Sequence, residues 1–352
     1  LAVNLASKYE KQFEAAFKPT SIFAGKVSDK YNFEGAKKIN IYSPVTVPLR
    51  DYTRSGGSRY GTPDEMSSVV QTLELTQDKS FTQSLDRGNY TDSQMAISAA
   101  NWMSEQIKGV VTPATEKHAM TQYFKNAGQV AAASATLTKT NIVGALEAGI
   151  TAQRNKFVPE DGRYLYLSAK HLGMLSISDE FIKIEKLGEK SVGKGVVGMF
   201  MGAQVLPVPD SFFPTGGIAL LARKDSLLLP RKISTFKTHS NPPGIDGWLM
   251  EGRVYYDAFV IGGKADGVWA LCETGKKQAT PTAAVSSGNL TLTSANSGGI
   301  YYTVNGGDPR YDKDAKAYSS AFAVTSGQVV RAVAYGGSST PFTSDVLEYT
   351  VS

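Results

Sequence analysis

Two stretches of period-two alternation flank a loop that neither a helix nor a core can absorb, and this constrains the chain more than any other feature. Residues 37–49, KKINIYSPVTVPL, place Ile39, Ile41, Val45 and Val47 on one face, which is strand spacing. Pro44 and Pro48 restrict that strand to an edge or to pairing on one side. Residues 68–86, SVVQTLELTQDKSFTQSLD, alternate again through Val69, Leu73, Leu75, Phe81 and Leu85. Between them lies RDYTRSGGSRYGTPDE, in which Arg50, Arg54 and Arg59 surround a Ser-Gly-Gly-Ser centre and Asp64 and Glu65 follow. A first arm of thirteen residues spans roughly 43 Å. Such a hairpin either folds back along its own body or lies on a neighbour. Its sparse apolar face and Gly/Ser tip predict a ribbon ordered by assembly.

The loop is no phosphate cradle. That chemistry needs G-x-x-x-x-G-K-[ST] between a strand and a helix, so that backbone N–H groups converge on the anion, and the spacing here differs. Bulk charge is modest, 37 Lys+Arg against 32 Asp+Glu, below the dense charge of a dedicated nucleic-acid binder. The positive excess gathers in the first sixty residues, with Lys8, Lys11 and Lys18 on an amphipathic opening, LAVNLASKYEKQF, that shows no signal-peptide pattern. Apolar runs are shorter than a membrane span. The single cysteine, Cys272, forms no intrachain disulfide, which suits a reducing compartment. It sits in the apolar run VWALCE with no histidine nearby, as a buried small hydrophobe does.

The rest of the chain alternates helix and strand signals. Thr91 and Gln94 form a capping box with Asp92 in the first turn. Met95, Ala99, Trp102, Met103, Ile107 and Val110 then recur at helical spacing as a packing face. Pro113 is expected to kink or break this helix, which resumes as far as Phe124. GQVAAASATLT (128–138) reads as a loop. Ile142, Val143, Leu146 and Ile150 mark another helix, EDGRYLYLS a turn into a buried strand, and Ser168 the cap of a short helix that carries His171. Nothing of ligand character stands four residues either side of His171, so it reads as a hydrogen-bonded or solvated side chain. The glycines of KSVGKGVVGMFMGAQVLPVP superficially resemble a nucleotide-binding fingerprint, but no capped helix follows them, and a hairpin fits better. Tyr255 to Ile261 and Val268 to Leu271 read as a closing hairpin. Near residue 278 the composition turns polar, as at a linker. Beyond it, short strands with glycine turns predict a small β-sandwich.

No reaction class emerges. The sequence has no metal-ligand spacing, no G-x-S-x-G and no histidine-paired nucleophile, and the carboxylate pairs Asp64/Glu65 and Asp179/Glu180 sit where they serve turns and caps. Asp308, Asp312 and Asp314 of DPRYDKDAK fall short of a calcium ligand set and read as a solvated acidic turn.

The order of elements, with the wording of NLASKYEKQF, DYTRSGGSRYGTPDE and LTQDKSFTQSLDRGN, resembles the major capsid proteins of tailed phages, the Hong Kong 97-like capsid fold. The resemblance implies an α+β shell domain over 1–278 with an N-arm (1–35), an extended loop (36–90) and a spine helix of the peripheral domain (91–126). The axial domain would lie mainly in 140–235, with a return to the peripheral domain over 236–278. IYYTVNGGDPRYDKDAKAYSSAFAVTSGQVVRAVAY resembles the C-terminal immunoglobulin-like modules of chitobiases and hexosaminidases, which implies an all-β outer domain at 279–352. Asn305-Gly306 stands where those modules usually have Asp-Gly. The Lys–Asn crosslink of some capsid relatives is not carried over, because its Lys, Asn and acidic catalyst are not matched.

The expected protein is therefore a non-enzymatic shell subunit without cofactors or metals. It would assemble through hexamers and pentamers into an icosahedral head around double-stranded DNA, be made in the bacterial cytoplasm and end in the virion. Arg50, Arg54 and Arg59, with Asp64 and Glu65, are expected to pair with an adjacent subunit. Each exposed pair is weak alone and gains by repetition. Lys8, Lys11 and Lys18 are expected to meet DNA phosphates or a neighbour. Portal and scaffolding proteins are further implied partners, host-surface glycans a partner of the outer domain, and no membrane is involved. An encapsulin-like cargo shell and a surface glycan-binding protein are the alternatives.

Overall fold

The computed structural model describes residues 21–31, 33, 37–44, 49–61, 63, 68–92, 99–178, 198–295 and 297–352. The first strands among the described residues are β1 (Lys38–Pro44), β2 (Ser68–Glu74) and β3 (Gln77–Asp86). Helices α1 (Arg87–Asp92) and α2 (Ala99–Gln106) follow, then a π-helical turn (Ile107–Val111) running straight into α3 (Thr112–Lys125). Next come β4 (Gln129–Ala132), α4 (Ile142–Asn155), β5 (Arg163–Ser168) and α5 (Ala169–Ser176). β6 (Gly198–Phe200), β7 (Ala203–Val208), β8 (Gly217–Arg223), β9 (Leu227–Leu228), β10 (Arg231–Ser240), β11 (Gly247–Tyr256), β12 (Phe259–Val260) and β13 (Val268–Cys272) complete the body.

The body is organised around a six-stranded mixed sheet, order β4-β13-β8-β5-β7-β6. Its strands read as continuous apolar runs because both faces are covered. Tyr166, Leu220, Ala222, Ala270 and Cys272 face α3 through Ala119, Met120, Tyr123 and Phe124. Leu165, Leu167, Leu221, Trp269 and Leu271 face α4 through Val143, Leu146 and Ile150. A second sheet, order β10-β11-β3, is built from three ten-residue strands. Phe81 of β3 packs against Trp102 of α2 at 6.0 Å and against Phe236 of β10 at 6.1 Å. β9 and β12 form a two-stranded patch, and β1 pairs with β2.

The described residues of 279–352 hold seven strands: β14 (Thr282–Ser286), β15 (Asn289–Thr293), β16 (Gly299–Thr303), β17 (Lys316–Ala317), β18 (Phe322–Ala323), β19 (Val329–Tyr335) and β20 (Leu347–Thr350). They form two sheets, β14-β15-β18 and β17-β16-β19-β20. Leu290 and Leu292 from one meet Ile300, Val330, Ala332 and Ala334 from the other in a shared core.

Helix α4, strand β5 and the β6–β7 hairpin lie where the sequence places them. Several other expectations are corrected. The second arm does not run unbroken from 68 to 86. It breaks at Leu75–Thr76, and β3 leaves to pair with β11, so the β1–β2 ribbon has seven paired residues and spans roughly 23 Å. Thr91 is no N-cap: it lies inside α1 and its hydroxyl bonds back to the Arg87 carbonyl at 2.9 Å. Asp86 takes the capping role, accepting the Gly88 and Asn89 amides at 2.8 and 3.3 Å. Pro113 does not break the helix. The preceding turn widens to a π turn, with the Thr112 amide bonding the Ile107 carbonyl, and Pro113 then stands in the first turn of α3, where no donor is needed. The expected loop at 128–138 contains β4, paired in parallel with β13. Val268–Cys272 closes no hairpin with the preceding strand; it lies between β4 and β8.

Candidate assembly surface

The ribbon is built from a wet tip and a buried base. At the tip, Tyr52 and Tyr60 meet edge to face at 5.0 Å. The Thr53 amide donates to the Arg59 carbonyl at 3.1 Å, and Ser58 Oγ donates to the Gly61 carbonyl at 2.9 Å. Gly56, at φ 94°, supplies the left-handed turn that side chains disfavour, and its carbonyl receives Arg59 Nε at 3.4 Å. The loop thus closes on itself while its outer face stays in water. Leu49 is fully exposed, Tyr60 86 % and Tyr42 68 % exposed. Arg50, Arg54 and Arg59 share this exposed tip. Asp64, Glu65, Lys8, Lys11 and Lys18 lie outside the described residues.

At the base, Ile41, Leu73 and Leu75 bury against Phe33 and Leu228. Two polar side chains, Gln71 and Asp257, fix the ribbon to the body. Gln71 donates to the Val260 carbonyl at 2.9 Å and accepts the Gly262 amide at 2.8 Å. Asp257, 4 % exposed, accepts the amide and the hydroxyl of Thr76 at 3.0 and 2.7 Å, at the break between β2 and β3. It also accepts the Ala258 amide at 2.8 Å and meets His118 Nε2 of α3 at 2.8 Å. Burial pushes the Asp257 carboxyl up, but the bonds from His118, Thr76 and Ala258 outweigh it and hold the group below the usual carboxylate range. Glu116, also in α3, accepts Ser21 Oγ and the amides of Ile22 and Phe23. Phe23 then sits between Tyr123 and Tyr166, at 5.2 and 5.0 Å. The α3 helix therefore anchors both the start of the described chain and the base of the ribbon.

Reasoning from sequence missed these anchors, although each leaves a trace. Asp257 interrupts the apolar run RVYYDAFVI. Glu116 lies at helical spacing from Met120 and Tyr123, on the face that is buried.

The acidic turn 308–314 is corrected most sharply. It is not solvated. Asp308 is held by Arg310, with Nη2 to Oδ2 at 2.6 Å. Asp312 is 6 % exposed and accepts Asn305 Nδ2 at 2.8 Å. The polar stretch near 278 is likewise tied down. Gln278 is 2 % exposed, and its amide group bonds Ser294, Ala295 and Thr340.

Catalytic features stay sparse. Among the described residues no group of His, Cys, Asp and Glu is placed to hold a metal ion, and no helix is long and apolar enough to cross a membrane. Cys272 is fully buried, which pushes its thiol up to about 12. His171 is hydrogen-bonded to Ser168 Oγ at 2.6 Å, and burial lowers its pKa.

The fold has solved counterparts. A chain of Mycobacterium phage Che8 is 16% identical with a TM-score of 0.62, and the match covers 77% of this chain and 98% of that one. The capsid structure of cyanophage P-SCSP1u is 12% identical at TM-score 0.60, covering 77% and 93%. The mature capsid of bacteriophage PhiM1 is 12% identical at TM-score 0.60, covering 76% and 92%. The fold is that of phage capsid chains. Residues 290–348 match the family model described as Fn3 associated. No curated protein sequence matches the chain.

Proposed function

We propose that this chain is the major capsid protein of a tailed phage. On this reading it is a non-enzymatic subunit on the Hong Kong 97 plan, assembling through hexamers and pentamers into an icosahedral head around double-stranded DNA. The observation that carries the reading is the extent of the fold likeness: it takes in 98% and 93% of the first two phage chains, so almost nothing of their architecture lacks a counterpart here. On that plan the β1–β2 ribbon is the extended loop and α2–α3 with its π turn is the spine helix. The six-stranded sheet is then the axial domain, which β13 re-enters, so the peripheral return is confined to β10 and β11. Residues 279–352 form an immunoglobulin-like outer domain.

The ribbon tip is the surface that meets a neighbouring subunit. Its exposed Leu49, Tyr42, Tyr52 and Tyr60 form the kind of apolar patch that marks an interaction site, and Arg50, Arg54 and Arg59 supply charge for carboxylates on the neighbour, with Asp64 and Glu65 completing the pairing. Lys8, Lys11 and Lys18 meet DNA phosphates or a neighbour. Portal and scaffolding proteins are partners in assembly. A glycan partner would use the cleft beside the outer domain, where Tyr301 and Tyr335 meet edge to face near Lys125.

Negative-stain electron microscopy of the purified protein, with sizing, tests the reading. Closed icosahedral particles bearing outward knobs and packaged nucleic acid are expected. Particles holding protein cargo would point to an encapsulin-like shell. Persistent monomer in the presence of the neighbouring viral gene products would overturn it. Shells of normal stability after all three tip arginines are neutralised would remove the pairing role.

A further inference from the structure

The last turn of a helix leaves carbonyl groups without intrahelical partners, and these must be bonded by something when they are buried. At the end of α3 four carbonyls follow one another, that of Lys125, the last helical residue, and those of Asn126, Ala127 and Gly128 just beyond it. Every one is bonded by a side chain from residues 279–352. Thr343 Oγ1 donates to Lys125 O at 2.8 Å and Tyr311 OH to Asn126 O at 2.6 Å. Arg310 Nη1 donates to Ala127 O at 2.7 Å and to Gly128 O at 3.0 Å. The Arg310 side chain is 7 % exposed. Asp308 grips its Nε and Nη2 edge, which fixes the fork and leaves Nη1 for the helix end. A guanidinium at a helix C-terminus also complements the negative end of the helix dipole.

The same turn reaches two more elements. The Lys313 amide donates to the Val70 carbonyl of β2 at 2.9 Å, bonding the base of the ribbon. The Tyr311 ring belongs to the core that α3 shares with the large sheet. Gly262 makes room for it: a Cβ there would stand 2.8 Å from Tyr311 Cβ. A second finger, Phe342, packs against Phe124 at 5.6 Å, and its amide and carbonyl bond Lys276 O and the Gln278 amide.

We propose that residues 279–352 act as a clamp in cis. Arg310, Tyr311 and Thr343 cap the end of the long helix, and the 308–313 turn locks that helix to the base of the projecting ribbon. The module is thus a built-in stabiliser of the corner from which the ribbon springs. A module hung on a linker for ligand display alone would leave the α3 carbonyls to water. This inference concerns the subunit itself and stands apart from the shell reading.

Hydrogen exchange on the full-length protein tests it. Arg310→Ala is expected to raise exchange about a hundredfold in the last turn of α3 and in β2, the scale of breaking a buried charge pair. Strands β15, β16 and β19 are expected to keep their protection. Unchanged protection in α3 and β2 would overturn the clamp. If Arg310→Ala unfolds the sandwich as well, the Tyr311→Phe/Thr343→Val pair decides. It removes only the two hydroxyl bonds to the helix end, so faster exchange confined to α3 and β2 supports the clamp and none rejects it.

Discussion

Two charged turns of similar composition meet opposite fates in this chain. Residues 54–59, RSGGSR, and residues 305–312, NGGDPRYD, both combine arginine, glycine and small polar side chains. The first stays in water, closed on itself by Tyr52 and Tyr60. The second is driven into the body, its arginine against two backbone carbonyls and its tyrosine in the core. Composition does not separate them. The receiving surface does: the end of α3 presents carbonyls that a guanidinium and two hydroxyls satisfy, whereas the Arg59 guanidinium bonds only within its own loop among the described residues, to the Gly56 carbonyl.

The largest test of this contrast is the arginine itself. Arg310→Ala strands Asp308 and the helix-end carbonyls, and is expected to cost the subunit about 3 kcal/mol in denaturant unfolding. Arg54→Ala is expected to leave the midpoint where it was. Equal effects at the two positions would erase the distinction. Next come the glycines that shape each site. Gly262→Ala drives a methyl group into the Tyr311 ring and is expected to cost about 1–3 kcal/mol. Gly56→Ala meets no neighbour and bears only its left-handed backbone, a cost of about 1 kcal/mol. Smaller again is Tyr311→Phe, which keeps the packing and removes one hydrogen bond, about 1 kcal/mol or less. Thermal unfolding of the variant beside wild type would read it.

The smallest effect is a pH dependence in the body, away from both turns. Burial depresses His171 below its ordinary 6.5. The unfolded chain then binds a proton that the folded one refuses, so stability falls as pH drops below about 6.5. It levels off once the folded group also protonates. His171→Gln is expected to flatten that slope, and an unchanged slope would place its origin elsewhere.

Much of the body is legible in the sequence, and the failures share a cause. Ile142, Val143, Leu146 and Ile150 announce α4 because a helix buries one stripe, a local periodicity. RYLYLS announces β5 because a strand covered on both faces is apolar throughout. GQVAAASATLT conceals β4 because its four residues, QVAA, are too few at a sheet edge to carry an alternation, and their pairing with Trp269–Cys272 is made across more than a hundred residues. The break at Thr76 is set by Asp257, 181 residues away. DPRYDKD looks solvated because its partners, the carbonyls of 126–128, are visible only when the helix end is in place. The tip arginines were legible as an exposed cluster, whereas Gln71, Glu116, Asp257 and Arg310 bind through three-dimensional neighbours.

Cys272 has a practical consequence. It is the chain's only thiol, fully covered, with its ionisation suppressed, and the reactive species is the thiolate. The native subunit should therefore be silent to maleimides and label only after denaturation. A cysteine introduced at the tip, Ser55→Cys, would then be the single addressable position on the folded chain. Its labelling rate would report, in real time, whether that tip passes from solvent into contact.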